Sequence, residues 1–364
     1  MMEHRLDLMT SLSGCPITSV QDWERYRRPE LMALLEYFQF GIRPSEKPEK
    51  LSFRINRKAE NWLGTEVDFT AVEIRVNDVP FPVYLYTPHG AQKPVPCFAF
   101  VQHERCMKEQ NLELTLDHNI LPIPRIIQRG YAIAVMPVYY VSPDWTHHSG
   151  FQKGVFQAMQ PNVSKRTSRS WATISGWAFG ISRVLDYLQT DPRIDSTNVA
   201  VIGHSRAGKT ALWAGATDHR FKLVISNSSG CGGAAYTRGK KGEHLKDINV
   251  SDWFCDNYHQ YDDREEMLPF DQHMLLATIA PRALYIKSDQ LDEWADPDAE
   301  VKSARLASSV YELYGLKGLV AEDQIQIMKP YHEGRIAYHR AAGDHHMDRK
   351  DWELYMDFAD IHLK

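Results

Sequence analysis

The stretch that most restricts what this chain can fold into is residues 199–213, VAVIGHSRAGKTALW. A β-branched and apolar run, Val199 to Ile202, enters Gly203-His204-Ser205-Arg206-Ala207-Gly208 and passes directly into a helix-forming segment, residues 209–216. Small residues flank a serine because a chain that turns sharply from strand to helix has no room for bulky Cβ substituents. The pattern predicts an elbow that lifts Ser205 out of the edge of a sheet. A serine at a strand-to-helix turn can also be a plain N-cap, but capping alone requires neither Gly203 nor Gly208. One position departs from G-x-S-x-G: the second glycine is replaced by Ala207.

The rest of the chain supplies a frame for such an elbow. Residues 22–40 carry a helical pattern with Leu31, Leu34, Leu35 and Phe38 on one side, ending at Gly41 before Pro44, and residues 1–50 read as an N-terminal packing segment. After a polar turn at residues 45–48, residues 51–55 and 72–76 alternate as half-buried strands. Residues 79–86 form the next, whose prolines suit an edge or a strand start. Beyond Gly90 the runs become continuously apolar and each is followed by a helix-compatible stretch, the sign of a parallel sheet covered on both faces. Strands are expected at residues 97–101, 131–135, 199–202, 223–226 and 283–287. Helices are expected at residues 120–129, 170–189, 209–216, 273–279 and 299–314. The order resembles an α/β-hydrolase fold, a three-layer α/β sandwich with a mostly parallel central sheet and antiparallel N-terminal strands, in which residues 51–364 form a single catalytic domain.

Composition narrows the partners. With 364 residues, a formal net charge of −5 and no run of five or six like charges, the chain offers nothing to a nucleic acid or an anionic membrane. The N-terminus lacks an apolar leader core and no run reaches membrane-span length, so the expectation is a soluble, unsignalled chain. Cys15, Cys97, Cys106, Cys231 and Cys255 are too scattered for a zinc site or a disulfide framework. Nine Trp and seventeen Tyr suit stacking on sugar rings as well as a core.

A serine hydroxyl becomes a nucleophile only when a base takes its proton, and the base needs a partner that fixes its tautomer. In this fold the chain order is serine, acid, histidine. Residues 338–347, YHRAAGDHHM, follow a strand-like segment and place a glycine loop before His345 and His346, of which His345 is preferred as the base. Past the strand at residues 283–287, the loop 288–297 supplies four carboxylates. Asp292 is preferred as the acid, with Asp296 as runner-up. The oxyanion would be met by the backbone N–H of Arg206, and its side chain adds a charge-assisted donor. Lys209 lies one helical turn beyond Ser205, at a helix start where the helix dipole disfavours a cation, which points to substrate contact.

Several stretches together resemble the glucuronoyl esterases of carbohydrate esterase family 15, especially the bacterial members: residues 203–216, 226–233 (SNSSGCGG), 268–273 (LPFDQH), 279–282 (IAPR) and 294–297 (WADP). Trp23-Glu24-Arg25 and Arg28-Pro29-Glu30 look like that family's entry segment. The resemblance implies a metal-free and cofactor-free serine esterase acting on 4-O-methyl-glucuronoyl esters that join plant cell-wall xylan to lignin. It implies Ser205 as nucleophile, Arg206 as oxyanion-hole arginine, His345 as base, Lys209 and Glu243 as sugar contacts and Trp294 as a wall of the uronate pocket. Many members place a glutamate acid right after the strand that follows the elbow helix. Here Ser228 stands there, and the implied arrangement has the acid on the later loop, in agreement with Asp292. The segment 100–106 differs from the family's asparagine-rich loop; His103 and Glu104 in it are further candidates for substrate contact. The family implies secretion or a periplasmic site, and a monomer is expected. Kept open beside this reading are an acetyl-xylan or other small-ester hydrolase and a non-catalytic carbohydrate-binding protein of the same fold.

Overall fold

The computed structural model describes residues 6–44, 47–103, 117–144, 148–249 and 251–364. Glu104 and Cys106 lie outside them. Nine strands form one sheet in the order β1-β2-β3-β5-β4-β6-β7-β8-β9. The antiparallel end comprises β1 (Leu51–Ala59), β2 (Val67–Val76) and β3 (Val79–Pro88), with β3 antiparallel to β5. From β5 (Ala132–Pro137) through β4 (Val95–Gln102), β6 (Ile194–His204), β7 (Phe221–Asn227), β8 (Ala283–Asp289) and β9 (Ile336–Ala341), every neighbouring pair is parallel. This is the α/β-hydrolase arrangement. β3 is not an edge strand, because it pairs with β2 on one side and β5 on the other. Its prolines are tolerated because β5 reaches only Tyr84, Leu85 and Tyr86, which leaves the Pro80 and Pro82 end with a single neighbour.

Alternation along the inner strands builds the layers. Cys97, Ala99, Val101, Val199, Val201 and Ile286 face one core, while Phe98, Phe100, Ala200, Ile202 and Tyr285 face another. The first core is closed by helices Thr173–Leu188, Arg206–Thr217 and Pro297–Leu313, and by the N-terminal helical run that buries Trp23, Leu31, Leu35 and Phe40. That run alternates α turns (Val20–Asp22, Arg28–Leu35) with π turns (Trp23–Arg27, Glu36–Phe40). The second core is closed by Ile123–Gln128 and by Arg349–Leu363, which buries Trp352, Tyr355, Met356 and Phe358. Several elements differ from expectation, among them β2, which begins at Val67 rather than at residue 72. The elbow helix begins at Arg206 rather than at residue 209, and β9 and the last helix complete the sheet and the second layer.

Among the described residues the cysteines Cys15, Cys97, Cys231 and Cys255 are unpaired, and no helix is long and apolar enough to cross a membrane.

Candidate active site

At the end of β6 the chain reverses at Ser205, whose φ of 57° and ψ of −126° lie where a residue with a Cβ is strained. The strain is held by Asn227 at the end of β7: its carbonyl accepts the Ser205 N–H at 2.8 Å, and its side-chain oxygen lies 2.6 Å from Nδ1 of His204. A Cβ on Gly203 would sit 2.2 Å from the Ala207 carbonyl oxygen, so only glycine lets the first helical turn fold back over the strand. Gly208 meets the Asn227 carbonyl and Ser226 Oγ, each 3.1 Å from where its Cβ would be. The second close approach therefore falls at 208, and the buried Ala207 fits at the position the usual pattern gives to glycine.

The acid and the base arrive on two loops at the same edge of the sheet. His345, between β9 and the last helix, has Nδ1 2.6 Å from Asp292 Oδ2, and Asp292 Oδ1 accepts the Ala295 N–H at 3.1 Å. Backbone bonds from Gln290 N–H to the Ala341 carbonyl and from Leu291 N–H to the Gly343 carbonyl stitch the loops together. Asp292 is 3% exposed, whereas the His345 side chain is 39% exposed. Burial disfavours the imidazolium, but the hydrogen bond and charge of Asp292 outweigh it and raise the His345 pKa above its ordinary value. Burial likewise pushes Asp292 up, and the bond and charge from His345 more than reverse it, leaving Asp292 a carboxylate below its usual range. The His345 ring lies 4.6 Å from that of His204, the residue before Ser205.

The runners-up have other duties. Asp296 caps helix Pro297–Leu313 through the Ala299 N–H and accepts the Lys241 N–H. His346 Nδ1 lies 2.8 Å from Asp289. Ser228 donates to Asp289 Oδ2 at 2.7 Å.

The residues expected to meet the sugar form one connected set. Lys209, almost fully buried, lies with Nζ 3.5 Å from Glu243 Oε2, and Trp294 Nε1 donates to Glu243 Oε1 at 3.2 Å. The Glu243 N–H also donates to the Trp294 carbonyl, and the Trp294 side chain remains half exposed. Arg206 donates through Nη1 to Asp144 and stacks over Trp253, whose Nε1 donates to the other Asp144 oxygen at 2.8 Å. Among the described residues the buried Arg206 Nε finds no hydrogen-bond partner. Asp144 and Trp253 were not found from the sequence. The only signal was the arginine itself, a cation at a helix N-terminus that calls for a carboxylate partner.

His103 stands in the field of Arg206, His345 and Lys209; burial first and those charges second push its pKa down to about 3, so it is neutral near pH 7. A metal would find ligand atoms of His346, Asp348 and Asp351 within 4.8 Å of one another. Asp348 and Asp351 are already engaged there by amides of the last helix, and Asp351 by His339.

The family model described as fungal glucuronyl esterase matches residues 115–315, a segment that contains Ser205, Arg206, Lys209, Glu243, Asp292 and Trp294 and stops short of His345. A carbohydrate esterase of an unknown prokaryotic organism is 35% identical, over 98% of this chain and 89% of its own. Among solved structures, a glucuronoyl esterase from Solibacter usitatus superposes with a TM-score of 0.90 at 33% identity, covering 97% of this chain and 96% of its own. A promiscuous CE15 esterase from a marine bacterial metagenome does so with a TM-score of 0.87 at 34% identity, covering 98% and 96%. The chain belongs to the glucuronoyl esterase family, carbohydrate esterase family 15.

Proposed function

We propose that this chain is a serine esterase that cleaves 4-O-methyl-glucuronoyl esters through an acyl-enzyme on Ser205. The observation that carries the reading is the hydrogen-bonded His345–Asp292 pair packed against the residue that precedes an elbow serine with positive φ. In the proposed cycle Ser205 Oγ attacks the ester carbonyl as His345 Nε2 takes its proton. Asp292 keeps the other ring proton on Nδ1 and balances the imidazolium. The developing oxyanion is met by the Arg206 N–H, one of the first helical amides that lack an acceptor within the helix, and by the guanidinium that Asp144 and Trp253 hold beside it. His345 returns the proton to the leaving alcohol, then activates a water that attacks the acyl carbonyl and releases the uronic acid. Lys209, Glu243 and Trp294 would hold the sugar, the charged pair bonding its hydroxyls and the indole covering a ring face.

A relative from Schizophyllum commune, 26% identical over 85% of this chain, carries the name 4-O-methyl-glucuronoyl methylesterase. The experiment is a side-by-side assay of glucuronate methyl ester, acetyl-xylan and feruloyl esters with the wild type and Lys209→Ala, together with fluorophosphonate labelling. Labelling at Ser205, with a several-fold rise in KM for the glucuronate ester in Lys209→Ala, is expected. Unlabelled folded protein would sink the esterase reading. An unimpaired Lys209→Ala would remove that residue from uronate recognition. Comparable rates on all three esters would place the chain with the relative described as promiscuous.

A further inference from the structure

Below the base loop lies a charged pair that plays no part in the cycle above. Lys287 and Asp289 sit at the end of β8 with their side chains fully buried and Nζ 2.6 Å from Oδ2. Removing two charges from water is costly, and a well-packed apolar pair would stabilise a core at least as well. What these two touch is therefore informative. Lys287 Nζ donates to the His346 carbonyl at 2.7 Å, the His346 N–H donates to Asp289 Oδ2 at 3.3 Å, and the His346 ring lies 2.8 Å from Asp289 Oδ1. The pair thus grips His346 at its carbonyl and its amide, while the ring Nδ1 bonds the Asp344 carbonyl at 2.5 Å, and His346 is the residue that follows His345. Ser228 donates to Asp289 Oδ2 from the end of β7, and Asp351, which pairs with His339, lies 3.6 Å from Lys287 on the other side.

We propose that Lys287 and Asp289 are positioning residues that clamp the loop of His345 and fix where its imidazole stands relative to Ser205. The inference rests on the reading of His345 as the base. The clamp is tied to the pair it serves by charge as well as by geometry. Asp289 favours the charged form of His345, and Lys287 favours the charged form of Asp292. The groups that face His345 are Asp292, Asp289, Lys209, His204 and His103.

The test uses Lys287→Met, Asp289→Asn and the double variant, with pH profiles of kcat/KM on a glucuronate ester. Asp289→Asn removes a negative charge that favours the imidazolium, so the acid limb is expected to move to lower pH. Lys287→Met leaves Asp289 uncompensated, so the limb is expected to move to higher pH, with a fall in Tm. The double variant is expected to recover Tm and to lose about tenfold or more in kcat with KM within twofold, since the base is displaced while the sugar contacts are untouched. A folded double variant with wild-type kcat and an unmoved acid limb overturns the clamp. Should the variants fail to fold, hydrogen exchange on the wild type decides. The His346 amide is expected to exchange slowly, and exchange as fast as that of an exposed loop amide overturns the proposal. His345→Ala and Asp292→Asn run in parallel: retained turnover in both would overturn the assignment of the base and, with it, the clamp. Loss in both with no effect at Lys287 and Asp289 would overturn the clamp alone.

Discussion

Glu300, in the first turn of helix Pro297–Leu313, is a carboxyl with no exposed surface, and its surroundings make the stability of the fold depend on pH. One oxygen accepts the Gly230 N–H at 2.9 Å and the Ser229 hydroxyl at 3.3 Å, and the other accepts the Ser288 hydroxyl at 2.6 Å. These bonds favour the carboxylate. Burial outweighs them, the nearby Asp292 charge adds to it, and the pKa rises from 4.5 to about 7. In the window between those values the folded chain binds more protons than the unfolded one, so stability falls as pH rises. The contribution is complete below about pH 4.5 and gone above about pH 7. At about 1.36 kcal/mol per pH unit, the interval corresponds to about 3 kcal/mol. Glu300→Gln keeps the shape, still accepts from Gly230 through its carbonyl, can donate to Ser288, and does not titrate. Urea unfolding of wild type and variant at pH 4 and pH 8 gives a double difference in which the other titrating groups cancel. The wild type should lose about 3 kcal/mol more than the variant between the two pH values. Parallel losses would show that Glu300 titrates alike in both states and would refute the reasoning.

Asp292→Asn should lower kcat by a factor on the order of 10³–10⁴, because the amide favours the wrong histidine tautomer and cannot balance the imidazolium. Asp296→Asn should cost about 1 kcal/mol of stability, because its single amide oxygen can serve the Ala299 or the Lys241 N–H but not both, and should leave kcat intact; near-normal turnover in the first and abolition in the second would transfer the acid to Asp296. Since His345 must be neutral to take a proton, and Asp292 raises its pKa, kcat/KM should fall on the acid side with a midpoint above 6.5, and Asp292→Asn should move that midpoint down. Gly203→Ala sets a Cβ 2.2 Å from a backbone oxygen and should destabilise the fold by about 3 kcal/mol, read as a drop in Tm; an unchanged Tm would mean the elbow relaxes freely.

The inner strands were legible because both of their faces are covered: Phe98, Ala99 and Phe100, or Ala200, Val201 and Ile202, are apolar in succession. β9 was not, since its run IAYHRA contains His339 and Arg340, buried only because Asp351 and Tyr285 satisfy the first and Asp298 and the Pro297 carbonyl the second. The last helix did carry a readable signal, with Trp352, Tyr355, Met356, Ala359 and Leu363 spaced at one helical face. The elbow helix starts three residues before the expected 209: Arg206, Ala207 and Gly208 look like a loop in the sequence, and the positive φ of Ser205 lets the helix start at once. Chain order alone points to Ser205, Asp292 and His345 as the proposed triad. Asp144 could not, since its bond to Arg206 spans 62 residues and nothing local marks it.

The motif GDHHM does not say which of its histidines is the base, and the allotment of charge around the two supports the proposal that it is His345. Asp289 and Asp292 stand three residues apart, and each faces one of the two consecutive histidines. Asp289 is already balanced by the Lys287 ammonium at 2.6 Å and bonded by the Ser228 hydroxyl. Asp292 is buried with one amide, that of Ala295, and among the described residues no cation is in contact with it except His345. Lys287 acts on it only from a distance. A positive charge appearing on His345 during turnover is thus the one Asp292 lacks, and the interior that makes an unpaired carboxylate costly makes that imidazolium favourable. The same buried pair that balances Asp289 holds the His346 backbone at its carbonyl and amide, and through it fixes the neighbouring His345.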